Sequence, residues 1–220
     1  MNVWHDLDPK YITPDKFTAV IEIPKGSSCK YELDKKNGMR RLDRVLYTAT
    51  HYPANYGFIP RTYADDGDPL DVLVLCAEPI YPMTLVQVYP IGCMRMYDGG
   101  KLDDKIIAVP FSDPSYHGIK SIDELPSHIF DEIMHFFTVY KQLENKQTAV
   151  KELHSAEEAK VIIKDAIDQF VTAGITDMIL DLRFNAGGTV AQSRWLSGCI
   201  AGAENEKKTY TKVVYNDGSE

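Results

Sequence analysis

The chain has 220 residues, of which 44% are hydrophobic and 25% are charged, and its 24 basic and 32 acidic residues give a formal net charge of −8. This composition is typical of a folded soluble domain, and it excludes collagen-like, disordered and membrane-spanning chains. The negative charge argues against a nucleic-acid partner, because binding to phosphate backbones depends on basic side chains, and it favours cations or cation-bearing substrates as partners.

The first predicted elements are short strands. Four β-rich runs, separated by proline and glycine, lie at residues 17–23, 72–75, 85–89 and 106–109. Seven of the twelve prolines fall among these runs, which excludes long helices from this part of the chain. The spacing of the runs predicts a small β-barrel.

Two amphipathic helices are predicted after the strands. The first follows Pro126 and the capping-box sequence Ser121-Ile-Asp-Glu124, and the second opens with Ser155-Ala-Glu-Glu158. Apolar residues recur in both at spacings of three and four, and we expect the second helix to pack on the barrel. The residues of the two stripes are Ile129, Ile133, Phe136, Phe137, Tyr140 and Leu143 in the first helix and Ala159, Ile162, Ile163, Ala166, Ile167 and Phe170 in the second.

Neither the cysteines nor the N-terminus indicates an oxidising compartment. The cysteines have no C-x-x-C spacing, which argues against a zinc site and against a disulfide framework. Residues 1–9 lack the basic and apolar regions of a secretory signal, so a cytoplasmic location is expected. We interpret all four cysteines as reduced thiols; they are Cys29, Cys76, Cys93 and Cys199.

The loop Asp66-Gly-Asp-Pro-Leu-Asp71 is the most informative motif. Its three carboxylates repel one another unless a positive charge lies between them. Mg²⁺ prefers oxygen ligands and keeps several waters, so a few carboxylates from one loop can bind it. A calcium loop of the EF-hand type is excluded because its aspartate spacing and its terminal glutamate are missing. The alternative is a solvated acidic turn.

An ordered set of motifs surrounds this loop. They are Ile21-Glu-Ile-Pro24, Lys30-Tyr-Glu32, Leu42-Asp-Arg44, Tyr52-Pro-Ala-Asn-Tyr-Gly57, Asp98 with Asp103 and Lys105, and His135-Phe-Phe-Thr-Val-Tyr-Lys141. Over about residues 15–170 the chain closely resembles the soluble family I inorganic pyrophosphatases. The resemblance implies an α+β fold, with a five-stranded OB-like β-barrel and flanking helices. It also implies Mg²⁺-dependent hydrolysis of pyrophosphate to two phosphates without a covalent intermediate, and it favours a homo-oligomer, in particular a hexamer.

The resemblance also implies a role for each matched residue. Asp68 corresponds to the general base that activates water. The metal ligands are Asp66, Asp71, Asp98, Asp103 and Glu32, with Glu22 and Tyr52 in supporting positions. The phosphate-binding residues are Lys30, Arg44, Tyr56, Lys105, Tyr140 and Lys141. Taken alone, Tyr52 and Tyr56 would be interpreted as barrel aromatics. Tyr140 would be interpreted as a core residue of the helix, and Lys141 as a helix-end charge.

The charges of these residues predict an order of binding. Seven carboxylates and four cations give the site a formal charge of −3, which repels free pyrophosphate. Two Mg²⁺ ions would change the balance to +1, so we expect the metal to bind before the substrate.

Residues 173–220 fall outside this resemblance, which places the domain boundary after residue 172. The segment Ile175-Thr-Asp-Met-Ile-Leu-Asp-Leu-Arg-Phe-Asn-Ala-Gly-Gly188 is similar to part of the carboxy-terminal processing proteases. That family needs a later nucleophilic serine and its lysine base, which this sequence does not supply, so proteolysis is not expected. We interpret residues 173–220 as a non-catalytic accessory segment.

Two other functions compete with catalysis by the first 172 residues. A Mg²⁺-binding or nucleotide-binding OB-like module that has lost activity would lack at least one site residue, and none is missing. An OB barrel that binds single-stranded nucleic acid would need a basic aromatic groove, which the net charge of −8 argues against.

Overall fold

The structure, a computed structural model, describes residues 3–34 and 38–173. Within these ranges the chain forms nine strands, two α-helices and three short 3₁₀ turns. The strands are β1 (Phe17–Ile23), β2 (Cys29–Leu33), β3 (Arg40–Val45), β4 (Asn55–Phe58), β5 (Asp71–Val74), β6 (Leu85–Asp98), β7 (Lys101–Leu102), β8 (Lys105–Pro110) and β9 (Thr148–Ser155). The helices are α1 (Ser127–Val139) and α2 (Ala156–Thr172), and the 3₁₀ turns are Pro9–Tyr11, Ile122–Glu124 and Gln142–Glu144.

Seven of these strands form one mixed sheet. Its order is β1-β4-β5-β8-β6-β7, with β9 paired to β6. Because β6 also pairs with β1, the strands β1, β4, β5, β8 and β6 close a ring. The pair β5–β8 is parallel and the other pairs of the ring are antiparallel. The remaining strands, β2 and β3, form a separate hairpin.

The four predicted strands are confirmed, although one is longer than predicted. The run at 85–89 continues as β6 to Asp98. Pro90 does not end the strand, because the pairing with β8 shifts its register between Pro90 and Gly92. Proline lacks the N–H group that a regular ladder requires, and such an irregularity accommodates it.

The strands that the sequence pattern did not reveal have few buried side chains or are very short. β3 has no buried residue, and β2 and β9 have none either. Strand prediction depends on alternating apolar and polar side chains, and these segments lack that alternation. β4 has only four residues, all buried, so it shows no alternation.

Both predicted helices are present, and the first starts directly after Pro126 as predicted, but its capping sequence belongs to a separate turn and its apolar stripe ends earlier than predicted. Ser121 caps the 3₁₀ turn Ile122–Glu124 by accepting a hydrogen bond from the Asp123 N–H group, whereas α1 starts after Pro126 without a side-chain cap. Leu143 lies beyond α1 and is 63% exposed, so it does not belong to the apolar stripe. The capping box of α2 is confirmed, since Ser155 and Glu158 bond each other's backbone N–H groups.

The two helices pack on opposite sides of the strands, because successive strand residues point to opposite faces. One cluster of buried side chains joins Leu73 and Ile107 to the aromatic residues of α1. The other joins Val72 and Ile106 to Ala159 and other residues of α2. The expected packing of α2 on the sheet is therefore confirmed.

No helix among the described residues has the length and apolar character needed to cross a membrane. The protease-like segment 175–188 and the rest of the accessory segment beyond residue 173 lie outside the described residues. The same is true of Cys199.

Candidate active site

One pocket brings together thirteen of the fourteen residues to which the resemblance assigns a role. Its volume is about 310 Å³, and it lies on the side of the sheet that α1 covers. The thirteen residues are Glu22, Lys30, Glu32, Tyr52, Tyr56, Asp66, Asp68, Asp71, Asp98, Asp103, Lys105, Tyr140 and Lys141. The exception is Arg44.

The acidic loop 64–71 is held by its own hydrogen bonds. The Ala64 N–H donates to the Asp68 carbonyl at 2.8 Å, and the Asp68 N–H donates to the Asp66 Oδ1 atom at 3.0 Å. Gly67 has a φ of +89°, a conformation that glycine adopts without strain. Asp66 and Asp68 are exposed and lie at the mouth of the pocket, whereas Asp71 begins β5 and is half-buried.

Strand pairing places Asp71 beside Lys105. These residues are paired in the parallel β5–β8 register, and the Lys105 ammonium group contacts both Asp71 and Asp103, the latter at 2.5 Å. Lys105 is only 2% exposed. Burial lowers the pKa of its ammonium group, but Asp71 and Asp103 raise it more, so its pKa lies above the usual value and Lys105 stays charged.

Tyr56 donates a hydrogen bond from its phenol to Asp71. It is carried on β4, which approaches β1 so closely that a Cβ atom at Gly57 would lie 1.9 Å from the Val20 carbonyl oxygen. Burial, together with repulsion from Asp71 and Asp103, raises the pKa of Tyr56 well above its usual value. The phenol is therefore a neutral donor at physiological pH.

The end of α1 supplies the opposite wall. Tyr140 caps α1 and is 5% exposed, and Lys141 follows it with its ammonium group in contact with Asp98 at the end of β6. Tyr52 is buried against Phe136, with ring centroids 4.8 Å apart. Burial raises the pKa of both Tyr52 and Tyr140, so these residues also remain neutral.

Glu22 and the hairpin β2–β3 form the third wall. Glu22 accepts a hydrogen bond from the Leu33 N–H at 2.7 Å. Burial raises its pKa to about 8, and repulsion from Asp71 and Glu32 adds to this effect against the opposing hydrogen bond. Lys30 contacts Glu32 and lies 3.4 Å from Asp43. The carboxylates on this side of the pocket therefore exceed the positive charge available to them.

Arg44 does not line the pocket. Its Nε atom donates to Glu144 at 2.8 Å, and its Nη1 atom donates to Asp43. Its Nη2 atom is buried and has no hydrogen-bond partner among the described residues. The predicted phosphate-binding residue thus lies outside the pocket lining and is held by two carboxylates.

Sequence reasoning missed several lining residues. The pocket also contains Trp4, Tyr31, Leu33, Phe58, Pro69 and Phe137. Tyr31 is adjacent to Lys30, and strict alternation would place it on the opposite face, but the β2–β3 register shifts between these two residues. Nothing local in the sequence indicates Glu144, because it meets Arg44 across 100 positions of the chain.

The donor chemistry of the pocket fits a hard divalent cation. Among the described residues no group of three His, Cys, Asp or Glu side chains is arranged to hold a metal ion, and Asp71 and Asp103 instead converge on Lys105. All seven acidic side chains of the lining nevertheless offer the oxygen ligands that Mg²⁺ prefers. Burial and repulsion from Asp103 raise the pKa of Asp71 despite Lys105, so additional positive charge would stabilise its ionised form.

Comparison with known proteins identifies related chains. The family model described as inorganic pyrophosphatase matches residues 19–171. Soluble inorganic pyrophosphatase 2 of Chlamydomonas reinhardtii is 50% identical over 167 residues, which cover 76% of this chain and 87% of the relative. The soluble inorganic pyrophosphatase 1 of Arabidopsis thaliana is 47% identical and covers 76% and 79%, respectively.

Solved structures of inorganic pyrophosphatases also match this chain. The inorganic pyrophosphatase of Thermus thermophilus matches with a TM-score of 0.74 and 37% identity, covering 78% of this chain and 99% of that one. The enzyme of Helicobacter pylori matches with a TM-score of 0.71 and 43% identity, covering 73% and 96%.

Proposed function

We infer that this chain, which belongs to the inorganic pyrophosphatase family, hydrolyses pyrophosphate to two phosphate ions. The observation that carries this function is the pocket, in which thirteen residues from separate parts of the chain meet. All of them lie within residues 19–171, the range matched by the family model. The pocket is polar and rich in carboxylates and phenols, as a site for a highly charged, metal-bound anion requires.

We propose Mg²⁺ as the metal. Asp66, Asp71, Asp98, Asp103 and Glu32 would hold it, with Glu22 hydrogen-bonded behind them. When bound, Mg²⁺ would neutralise phosphate charge and would lower the pKa of a bound water, so that this water can act as a nucleophile at neutral pH. Glu22 supports this assignment in part, because burial and then repulsion from Asp71 and Glu32 raise its pKa to about 8, and a cation nearby would offset that repulsion.

The chain's own residues perform the remaining steps of the proposed mechanism. Asp68, exposed at the pocket mouth, accepts the proton of the attacking water on its carboxylate oxygen. Lys30, Lys105 and Lys141 neutralise phosphate oxygens, while the phenols of Tyr56 and Tyr140 donate hydrogen bonds without adding charge. Water attacks phosphorus directly, so no covalent intermediate forms on the protein.

Arg44 would have to exchange at least one of its present carboxylate partners for phosphate in this mechanism. In the structure Glu144 and Asp43 bind its guanidinium group. A phosphate group in the pocket would compete with these carboxylates for a bidentate contact. The buried Nη2 atom, which lacks a hydrogen-bond partner among the described residues, supports the proposal that Arg44 can form a further bond.

Four further proposals rest on the family resemblance. The five-strand ring would be an OB-like barrel, and the chain would form a homo-oligomer, with a hexamer favoured. It would act in the cytoplasm on pyrophosphate, without nucleic-acid or membrane partners. Residues 173–220 would be an accessory, non-catalytic segment.

An assay of phosphate release from pyrophosphate, with and without Mg²⁺, tests the function. We expect rapid release that needs Mg²⁺ and is abolished by a chelator. The variant Asp65→Asn is a matched control, because Asp65 belongs to the acidic loop 64–71 but does not line the pocket, and it should keep full activity. Absence of Mg²⁺-dependent release from the purified protein would refute the proposed function.

A further inference from the structure

An ion pair with one buried partner lies next to the proposed active site, on the adjoining residue of the chain. The Arg95 guanidinium group binds the Asp104 carboxylate through two hydrogen bonds, Nε to Oδ1 at 3.1 Å and Nη2 to Oδ2 at 2.9 Å. The Asp104 side chain is 5% exposed and the Arg95 side chain is 30% exposed. Such a fork-shaped contact fixes both the position and the orientation of the carboxylate.

Asp104 stands between two residues of the pocket. Asp103 and Lys105 both line it, and Asp104 does not. In extended chain, successive side chains point to opposite sides. Asp104 instead lines a cavity on the other side of the sheet, so Asp104 and its two neighbours face opposite sides.

The partner comes from the neighbouring strand. Met94 pairs with Lys105 in the β6–β8 register, and Arg95 is the next residue of β6. The Asp103 N–H also donates to the Met96 carbonyl at 2.9 Å. The segment 103–105 is thus held against β6 at three successive residues of that strand. Backbone pairing holds it at Met94 and Met96, and the Arg95–Asp104 side-chain pair holds it at the residue between them.

The pair lies on the side of the sheet that α2 covers. Arg95 and Asp104 line a second cavity of about 200 Å³ together with Leu102, Ile162 and Ala166. Within the described residues, Arg95 is the one cationic side chain of this cavity. Loss of Arg95 would leave the buried Asp104 carboxylate without its positive partner, which is strongly unfavourable unless the side chain moves toward water.

We propose that Arg95 and Asp104 are positioning residues that hold Asp103 and Lys105 in the geometry needed for metal binding and pyrophosphate hydrolysis. Neither side chain touches the pocket, so both act through the segment 103–105. This inference rests on the proposed function of the pocket. It assigns a catalytic consequence to a pair that would otherwise be considered a structural ion pair.

The experiment compares Asp104→Asn and Arg95→Lys with the parent protein. We expect kcat to fall about 10- to 100-fold in Asp104→Asn, the usual effect of removing a support behind a metal ligand, with less change in KM. Arg95→Lys keeps the charge but loses the fork, and we expect a smaller loss in the same direction. The variant that removes both partners, Arg95→Gln with Asp104→Asn, should be no worse than Asp104→Asn alone, because the residues act as one unit.

A second readout does not depend on catalysis. Calorimetric titration of each folded protein with Mg²⁺, in the absence of pyrophosphate, should show weaker binding by about tenfold in Asp104→Asn, because Asp103 is displaced. A purely structural pair would lower the thermal midpoint without changing the Mg²⁺ affinity of the folded fraction. The matched control is Asp168→Asn, which breaks the exposed 2.6 Å pair between Lys164 and Asp168 on α2 and should leave kcat and Mg²⁺ binding unchanged.

Parental kcat and Mg²⁺ affinity in folded Asp104→Asn and Arg95→Lys would overturn the inference. If Asp104→Asn does not fold, Arg95→Lys alone decides it by the same two measurements. A parent protein that releases no phosphate would refute the proposed function, while the Mg²⁺ titration would still test the positioning role.

Discussion

Asp68 and Asp71 belong to one loop, yet the structure gives them different surroundings. Asp71 is paired with Lys105 across two strands and accepts a hydrogen bond from Tyr56. Asp68 is exposed, and its backbone closes the loop through Ala64. Because its partners fix its position, Asp71 is suited to act as a metal ligand. Asp68 is accessible to water at the mouth of the pocket and is suited to accept a proton.

This contrast predicts that the same substitution affects different properties at the two positions. Asp68→Asn should leave Mg²⁺ binding largely intact and lower kcat by about 10²-fold or more, because a general base is lost. Asp71→Asn should weaken Mg²⁺ binding itself, since a ligand is lost. Calorimetry with Mg²⁺ and steady-state kinetics separate the two effects. Mild and equal effects of both changes would refute the assignment, and Asp65→Asn serves as the neutral control.

At the scale of elements, α2 depends on its first turn. Ser155 Oγ accepts from the Glu158 N–H at 3.3 Å, and Glu158 Oε2 accepts from the Ser155 N–H at 2.9 Å. The helix then buries Ala159, Ile163, Ala166 and Phe170. Each large apolar side chain buried in this way contributes about 1.5–3 kcal/mol, so a correctly started helix secures one face of the sheet.

The capping box predicts a specific dependence of stability on pH. Hydrogen bonds from Ser155 and contact with His154 lower the pKa of Glu158 to about 2 from its model-peptide value of 4.5. A carboxyl group whose pKa is lower in the folded state than in the unfolded state stabilises the folded protein. This contribution is complete at pH values above the unfolded-state pKa of about 4.5, and it is lost as the pH falls toward about 2. The stability difference between the parent and Glu158→Gln should therefore shrink over that range.

Urea unfolding at several pH values measures this difference. Glu157→Gln is the matched control, because Glu157 lies in the same first turn but contacts Lys160 rather than the cap. Ser155→Ala should lower the free energy of unfolding by about 1 kcal/mol at neutral pH. A difference between the parent and Glu158→Gln that stays constant down to about pH 2 would contradict the proposed linkage.

At the scale of the whole molecule, the pocket is a concentration of negative charge. Its lining contains seven acidic side chains and three lysines among the described residues, and the chain as a whole carries −8. Such a site repels a free pyrophosphate ion, because the electrostatic fields of its negative side chains add up within the cleft.

The charge predicts an order of binding. Titration with methylenediphosphonate, a pyrophosphate analogue that is not hydrolysed, should give little heat without a divalent cation and clear binding with Mg²⁺. A chelator should reverse the binding. Tight binding of the analogue without metal would contradict the prediction, because the lysines alone would then suffice to offset the carboxylates.

The boundary of the catalytic part predicts the result of truncation. The predicted site residues end at Lys141, and the last buried residue of α2 is Phe170. A chain that ends after Ala173 should therefore stay soluble and keep pyrophosphatase activity within a few-fold. Residues 174–220 alone should show no peptidase activity.

A shorter chain provides the control for this truncation. A chain that ends after Ser155 loses α2 and exposes the apolar face of the sheet beneath it, so it should aggregate. Loss of activity or of solubility in the chain ending after Ala173 would place the domain boundary later than residue 172.

Local patterns in the sequence were sufficient for several features. The apolar spacing after Pro126 predicted α1, Ser155 and Glu158 predicted the start of α2, and the residues in 17–23 predicted β1. The ordered motifs predicted the family, which the comparisons confirm. These features were readable because helix periodicity, strand alternation and capping depend on residues only a few positions apart.

Other features were decided only by the tertiary structure. Pro90 lies within β6 rather than at its end, Ser121 caps a 3₁₀ turn rather than α1, and Arg44 is bound to Glu144 outside the pocket lining. Likewise, nothing in the sequence pairs Arg95 with Asp104. Such contacts depend on strand register and on the close packing of side chains from distant positions, and the residue spacing along the chain does not contain that information.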